Sequence, residues 1–156
     1  MSAPLANSAA ALVAHGSDLD RAIAVALAEA GADVAIATES PGQSQEFATA
    51  SIANEIWAIG REQFSHVLDA ADTAQVEGYA REVVARLGRC DALVVIEPSP
   101  SLHLGELHRA FATALAEDVA LVVVGPADAP LTTVTAGPNA PAEVVAAIAR
   151  ELTLES

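Results

Sequence analysis

The segment AAALVAHGSD, residues 9–18, is the starting point from which the architecture can be inferred. Small and branched apolar residues run without a break to Ala14, which is typical of a strand buried on both faces of a parallel sheet. His15-Gly16 interrupts this run, and Ser17 or Asp18 is suited to cap a helix. The segment therefore predicts a strand, a tight turn and a helix, the opening of a βαβ unit.

Strands and helices alternate along the rest of the chain. Further strands are predicted at 33–37, 64–68, 92–96, 120–124 and 132–135. Helices are predicted from Ser17 to Gly31 and at 45–59, 72–87, 102–117 and 142–152. This order predicts a single α/β domain over residues 1–156, with 1–8 as a flexible terminus. The expected fold is a Rossmann-like, doubly wound parallel sheet of five to six strands in three α/β/α layers.

The composition excludes several classes of function. The formal net charge is −14, so we expect no binding to nucleic acid or to anionic membranes. The single cysteine excludes an intramolecular disulfide and a cysteine-based metal site. The first residues do not resemble a signal peptide, and no apolar run reaches transmembrane length. We therefore expect a cytoplasmic protein.

The chain contains no lysine, and all of its basic side chains are arginines. A P-loop, a pyridoxal Schiff base and a Tyr-x-x-x-Lys proton relay each require the ε-amino group of a lysine. The sequence therefore excludes all three.

Four segments, in order, resemble the short-chain dehydrogenase/reductase (SDR) family. Residues 11–24 are similar to its first strand, turn and helix, and residues 28–35 to its passage into the second strand. Asp69-Ala70-Ala71-Asp72 resembles the family's Asp-x-x-Asp, and Leu87-Gly88-Arg89-Cys90-Asp91-Ala92-Leu93-Val94 resembles the start of its fourth strand. The resemblance implies a dinucleotide-binding fold whose intact members are oxidoreductases.

The chain departs from that family where the cofactor binds. The turn is a residue short, and its first and last glycine positions hold His15 and Asp20. Asp18 and Asp20 would repel a diphosphate, at a cost on the order of 4 kcal/mol for like charges about 4 Å apart. The family's Asn-Asn-Ala-Gly is replaced by residues 95–98, Val-Ile-Glu-Pro. We therefore expect no dinucleotide cofactor.

The family's catalytic residues are also missing. The serine expected past the fifth strand is replaced by Gly125-Pro126-Ala127, and no serine occurs between Ser101 and Ser156. The only tyrosine, Tyr79, lies on the apolar face of an earlier helix. We therefore expect a truncated, degenerate member of the family, a pseudoenzyme with no catalytic residues of its own.

The ends of the predicted strands still carry polar residues that could line a vestigial pocket. The candidates are His15, Gly16, Asp20, Glu39, Asp69 and Glu97. The resemblance places Glu39 near a ribose and Asp69 near an adenine, but an acid after a strand also commonly caps the next turn. His15 could act as a base toward a small ligand. Because His103 and His108 are not spaced i, i+4, we expect no metal site.

The helix at 102–117 is the candidate subunit interface, because the corresponding helix pairs subunits in the family. Leu104, Leu107, Phe111 and Leu115 form its apolar stripe, while Ala110 and Ala114 would admit a partner helix. Ordinary core packing also explains the stripe. Trp57 either packs on the sheet edge or belongs to an interface, and both readings stay open.

These observations lead to an expected function with two alternatives. We expect a non-catalytic subunit, in a homo- or hetero-oligomer, that supports an active SDR-type oxidoreductase. The first alternative is a stand-alone homo-oligomeric protein, either an enzyme or a ligand-binding protein, that uses a repurposed acidic pocket at the carboxyl ends of the strands for a cationic or polyhydroxylated ligand. The second is a self-assembling structural protein.

Overall fold

A computed structural model describes residues 3–117, 119–125 and 133–155. The strands are β1 Ala9–Ala14, β2 Asp33–Thr38, β3 Gln63–His66, β4 Ala92–Ile96, β5 Ala120–Gly125 and β6 Thr133–Thr135. The helices are α1 Asp18–Glu29, α2 Gln43–Ile59, α3 Thr73–Leu87, α4 Leu104–Leu115 and α5 Ala140–Glu155. None of the described helices is long and apolar enough to cross a bilayer.

The strands form one parallel sheet in the order β3-β2-β1-β4-β5-β6. In the register, Leu12 of β1 pairs with Ile36 of β2 on one side and with Val94 of β4 on the other. The strand order therefore reverses between β1 and β4. In open α/β sheets, ligands bind in the crevice beyond the carboxyl ends of the strands at such a point.

Helices cover both faces of the sheet because alternate strand residues point in opposite directions. Ala10, Leu12 and Ala14 belong to a core shared with α1, α2 and α5. Ala11 and Val13 belong to the other core, shared with α3 and α4. The predicted three-layer, doubly wound Rossmann-like fold is confirmed.

Several element bounds differ from the sequence prediction, and in β3 and α4 side chains or backbone geometry explain the earlier end. β3 ends before Leu68, whose backbone N–H and carbonyl bond the Thr38 hydroxyl at 2.9 and 2.7 Å instead of continuing the ladder. α4 is shorter than predicted, because Leu102 lies in a turn to Ser99 and Ala116 ends the helix at φ 57°. Thr132 of the predicted last strand lies outside the described residues.

Residues 3–8 belong to the segment expected to be a flexible terminus, and several of them contact the rest of the chain. Leu5 is fully buried, and its backbone N–H donates to the Ala30 carbonyl at 2.8 Å. Gly31 lies so close to this segment that an added Cβ would be 2.9 Å from the Ala3 Cβ. The described part of the terminus thus packs against the end of α1.

Candidate functional site

The turn after β1 is closed by a carboxylate of the same chain. Oδ2 of Asp20 accepts backbone N–H groups from His15, Gly16 and Ser17 at 2.8, 2.7 and 2.9 Å. Ser17 in turn caps α1, since its hydroxyl accepts the Asp20 N–H at 3.2 Å. N–H groups at a helix N-terminus are the groups that commonly bind phosphate in dinucleotide folds. Here the Asp20 carboxylate occupies them.

Asp20 is fully buried, although a carboxylate is costly to remove from water. Its second oxygen, Oδ1, is buried and accepts no hydrogen bond from the described residues. The three charge-assisted bonds to Oδ2 and the positive end of the α1 dipole offset this cost. The sequence led us to expect that Asp20 repels a phosphate, and in the structure its carboxylate accepts the N–H groups of the turn.

The same turn packs closely against helix α2. Gly16 has φ +90°, and a Cβ added there would lie 2.4 Å from the Cβ of Ala48 in α2. The turn and α2 are thus packed backbone against side chain with no space for a methyl group. This packing explains why position 16 holds a glycine.

His15 bridges the crevice between β1 and β4. Its Nε2 atom lies 3.0 Å from the backbone carbonyl oxygen of Glu97, and 3.8 Å from Oε1 of Glu39. Because a carbonyl oxygen only accepts, the ring nitrogen donates this bond. Glu97 holds its carbonyl there with φ 48°, a left-handed conformation that is uncommon for a residue with a side chain.

The loop after β4 folds toward the end of β2. The Ser99 N–H donates to Oε1 of Glu39 at 2.9 Å, and Glu39 is only 8% exposed. A cavity of about 340 Å³ opens beside this contact. It is lined by Glu39, Ser40, Asp69, Ala71, Ser99, Ser101 and Leu102. Two acidic residues and three serines therefore line one small space.

The structure divides the expected pocket residues into two groups. His15 and Glu39 lie close together, and Glu39 shares the cavity with Asp69. Asp69 also accepts the Ala71 N–H at 3.1 Å. It therefore caps the turn that follows β3, which was the alternative to a role near an adenine. Gly16 and Asp20 are engaged in the packing of the turn. Glu97 contributes its backbone carbonyl to the contact with His15, while the residue as a whole is exposed.

The serines of this cavity were missed in the sequence. Ser99 and Ser101 lie in the segment EPSPS, residues 97–101. Its two prolines predict a rigid loop and nothing more specific. The hydroxyls of Ser99 and Ser101 are 3.4 Å apart. The two prolines indicated that this loop is rigid. The sequence did not indicate that the loop lies over the end of β2, because that position depends on the contact between Ser99 and Glu39.

Other residues with potential chemistry are buried in the core. The Tyr79 hydroxyl donates to the Leu12 carbonyl at 2.9 Å, and burial raises the pKa of Tyr79 well above its ordinary value. Burial also raises the pKa of Cys90 to about 12. In the described part of the chain, no three His, Cys, Asp or Glu side chains converge as metal ligands.

The apolar stripe of α4, the candidate interface helix, packs largely against the core of the chain itself. Leu107 and Phe111 are buried, and the other members pack partly buried against the same core: Leu104, Ala110, Ala114 and Leu115. Ala110 lines the groove between α3 and α4. The exposed small residues lie instead on another flank of α4. A groove of about 690 Å³ runs there, lined by Gly105, His108, Arg109, Ala112, Thr113, Ala116 and Glu117.

Solved structures with the same fold are short-chain dehydrogenases. A short chain dehydrogenase from Burkholderia cenocepacia J2315 in complex with NADP matches with a TM-score of 0.63 and 24% identity, over 96% of this chain and 65% of that one. The fold is SDR-like. A 7α-hydroxysteroid dehydrogenase complexed with NADH and 7-oxo glycochenodeoxycholic acid matches with a TM-score of 0.66 and 16% identity, over 94% and 63%.

A short-chain type dehydrogenase/reductase from Mycobacterium marinum matches with a TM-score of 0.61 and 20% identity, over 78% of this chain and 56% of that one. The chain therefore spans less than two thirds of the length of each of these SDR-fold proteins. No protein-family profile matches the sequence.

The SDR-like fold implies a dinucleotide, but the turn after β1 does not fit its diphosphate. The backbone N–H groups are occupied by Asp20, and Ala48 contacts Gly16. We therefore derive no chemistry through a nicotinamide cofactor. The expected loss of the catalytic serine concerns Gly125-Pro126-Ala127, of which Pro126 and Ala127 lie outside the described residues.

Proposed function

We propose that this chain is a non-catalytic SDR-like subunit that associates with an active SDR-type oxidoreductase and supports it. The observation that carries the proposal is the Asp20 carboxylate bonded to three N–H groups of the turn after β1. A dinucleotide phosphate would have to displace this buried, negatively charged group. The chain thus keeps the fold of a dehydrogenase without a place for the cofactor that drives the reaction.

Helix α4 supplies the surface for the partner in this proposal. Gly105, Ala112 and Ala116 are small residues on one flank, so a second helix can approach the α4 backbone closely. Arg109 and Glu117 border the groove and provide both signs of charge. This flank adds to Ala110 and Ala114 as a possible contact, and those two residues, like Ala112, pack partly against the chain's own core.

Two measurements test the two halves of the proposal. In calorimetric titration of the purified chain with NAD(H) or NADP(H) at millimolar concentration, we expect no heat of binding. In co-purification from the native cell, we expect recovery of an SDR-type oxidoreductase whose activity falls when this chain is removed. Stoichiometric nucleotide binding, or recovery of this chain alone, contradicts the proposal.

A matched pair of variants tests the α4 groove. A Cβ at Gly105 in α4 or at Gly78 in α3 meets no atom within 4 Å, so the first atom of a side chain is accommodated at either site. We expect Gly105→Arg to abolish co-purification and Gly78→Arg to preserve it. Equal recovery with both variants contradicts the assignment of this groove.

The cavity beside Glu39 favours a second candidate function, the binding of a small cationic or polyhydroxylated molecule. Glu39 is nearly buried and shares the cavity with Asp69 and the serines. Carboxylates and hydroxyls of this kind match ammonium and hydroxyl groups of a ligand. Thermal-shift measurements against polyols and polyamines test it. A shift that Glu39→Gln removes supports this function, and the lack of any shift contradicts it.

A further inference from the structure

Three cavities join into one depression that runs from the ends of the strands to the boundary between α3 and α4. The first is the cavity beside Glu39. The second, of about 40 Å³, shares the loop residues Ser101 and Leu102 with it. The third, of about 460 Å³, shares Thr73 and Glu106 with the second. Because each cavity shares lining residues with the next, the three form a continuous path, which we call the trench.

Acidic side chains lie at both ends of the trench. Those in the first and third cavities are, respectively, Glu39 and Asp69, and Glu77 and Glu106. Arg109 is the only arginine among the described residues that line the trench. Glu77 lies 4.0 Å from Arg81, but Glu106 is exposed and has no ion pair within the described part of the chain. Each end therefore carries more negative than positive charge.

The middle of the trench is narrow and largely apolar. Ala70 and Leu107 line it and are buried, and Leu102 lines it half-buried. Apolar walls favour methylene groups over charged or hydroxylated ones. A volume of about 40 Å³ also favours an unbranched chain over a ring. The trench thus has two acidic ends joined by a section suited to a short aliphatic chain.

Glu39 provides an unpaired oxygen at the first end. Its side chain is only 9% exposed, and its Oε1 atom accepts the Ser99 N–H. No described residue donates a hydrogen bond to Oε2, and this atom is not fully enclosed by the protein. A carboxylate that is largely removed from water gains more from a charged donor than an exposed one does. The oxygen is therefore suited to accept a hydrogen bond from a cationic ligand in the cavity.

We propose that the trench binds a linear aliphatic polyamine. One ammonium group lies in the cavity beside Glu39, another lies near Glu106, and the methylene chain between them passes through the narrow middle. Ammonium groups only donate hydrogen bonds, and carboxylates and serine hydroxyls accept them. The net charge of −14 adds a long-range attraction for a polycation. This inference rests on the second candidate function and narrows its ligand to one chemical class.

Other ligands match the trench less well. A metal ion needs ligands that converge, and no three His, Cys, Asp or Glu side chains do so in the described part of the chain. A polyol leaves the carboxylates of both ends without a counter-charge. The narrow middle disfavours a basic peptide, whose side chains branch from its backbone. An unbranched chain with a charged amine at each end satisfies both the acidic ends and the apolar middle.

The test is calorimetric titration of the purified chain with spermidine, with butylamine, which has one amine, and with glycerol. We expect spermidine to bind most tightly, because only it reaches both ends. Glu106→Gln should weaken spermidine about threefold to fivefold, as befits an exposed charge, and should leave butylamine unchanged. Glu39→Gln should weaken both amines at least about tenfold, because its carboxylate is nearly buried.

Glu29→Gln is the matched control, because Glu29 is an exposed glutamate of α1, on the other face of the sheet. It removes the same charge and should leave spermidine binding unchanged. Equal weakening by Glu29→Gln and Glu106→Gln overturns the inference, because the attraction then belongs to the whole chain. Butylamine binding as tight as that of spermidine, or binding of glycerol alone, also overturns it but leaves the second candidate function standing. If none of the three probes binds, both fail.

Discussion

The side chain of His15 donates to the backbone carbonyl of Glu97 at 3.0 Å, which joins the end of β1 to the end of β4. This contact spans the place where the strand order reverses, the usual ligand crevice of an open α/β sheet. Asp20 in the turn and Ala48 against Gly16 lie at the same end of the sheet, so groups of the chain itself occupy part of that crevice.

The Glu97 backbone stores strain that glycine relieves. At φ 48°, a residue with a Cβ costs about 1–2 kcal/mol relative to the right-handed region. We expect Glu97→Gly to raise the free energy of unfolding by about 0.5–1 kcal/mol after the entropy of glycine is deducted. Denaturant unfolding measures this, with Glu97→Ala, which keeps the strain, as the control. A destabilised glycine variant contradicts the prediction.

Asp20 is expected to be a main source of stability in the turn after β1. Asp20→Ala leaves three backbone N–H groups without their acceptor, so we expect a loss of about 2–4 kcal/mol in the free energy of unfolding. Asp20→Asn retains one acceptor oxygen and should lose less. Urea unfolding of the three proteins provides the comparison. An alanine variant within about 0.5 kcal/mol of the unaltered chain is inconsistent with this role.

Gly16 and Gly78 should respond oppositely to the same substitution. Gly16→Ala combines φ +90° with a contact of 2.4 Å to Ala48, and we expect a loss of about 2–4 kcal/mol. Gly78→Ala places a methyl group in open space within α3, and we expect a gain of about 0.5–1 kcal/mol.

Ala48→Gly provides the internal check on this pair. It removes the methyl group that Gly16→Ala meets, so the double variant should recover part of the lost stability but not the part due to φ. Thermal unfolding of the single and double variants separates the two terms. Strictly additive effects of the two substitutions rule out the contact between these residues as the cause.

Cys90 should be inert at neutral pH and should make the fold sensitive to alkali. Burial raises the pKa of its thiol from 9.0 to about 12, so the folded chain holds almost no thiolate at pH 8. Reaction with a disulfide reagent at pH 8 should therefore be slow in buffer and fast in denaturant. Rapid labelling of the folded chain contradicts the burial of Cys90.

The same pKa shift fixes the sign of the pH dependence. Above pH 9.0 the unfolded thiol ionises while the folded one stays protonated, so stability is lost as pH rises from about 9 to about 12. Tyr79, whose pKa is also raised by burial, adds to the loss at the upper end. Cys90→Ala should reduce the slope of stability against pH in this range.

His66 should make the fold sensitive to mild acid. Its ring stacks on Tyr79 with centroids 5.2 Å apart, and burial lowers the pKa of His66 below 6.5 despite the opposing charge of Glu82. The folded state thus favours the neutral ring, and its contribution is lost as pH falls below 6.5 through the lowered pKa. An NMR titration should give His66 a pKa below 6.5, and His66→Phe should reduce the acid-dependent loss of stability.

The sequence by itself determined the order of elements and the layers of the fold. Short uninterrupted apolar runs such as Ala92–Ile96 are typical of strands covered on both faces, and the Asp72 and Gly88 positions mark the ends of α3 through local capping geometry. These signals need only neighbours along the chain, which is why they were read correctly without a structure.

Only the tertiary structure decided what occupies the crevice and what stays exposed. Three contacts depend on the tertiary structure. They are the hydrogen bond from His15 to the Glu97 carbonyl, the bonds that Asp20 accepts in the turn, and the contact of Ala48 with Gly16. The exposure of Trp57 likewise depends on which side of α2 meets the sheet, since both sides are apolar. Local pattern fixes the period of a helix, whereas long-range packing fixes the atoms that its side chains meet.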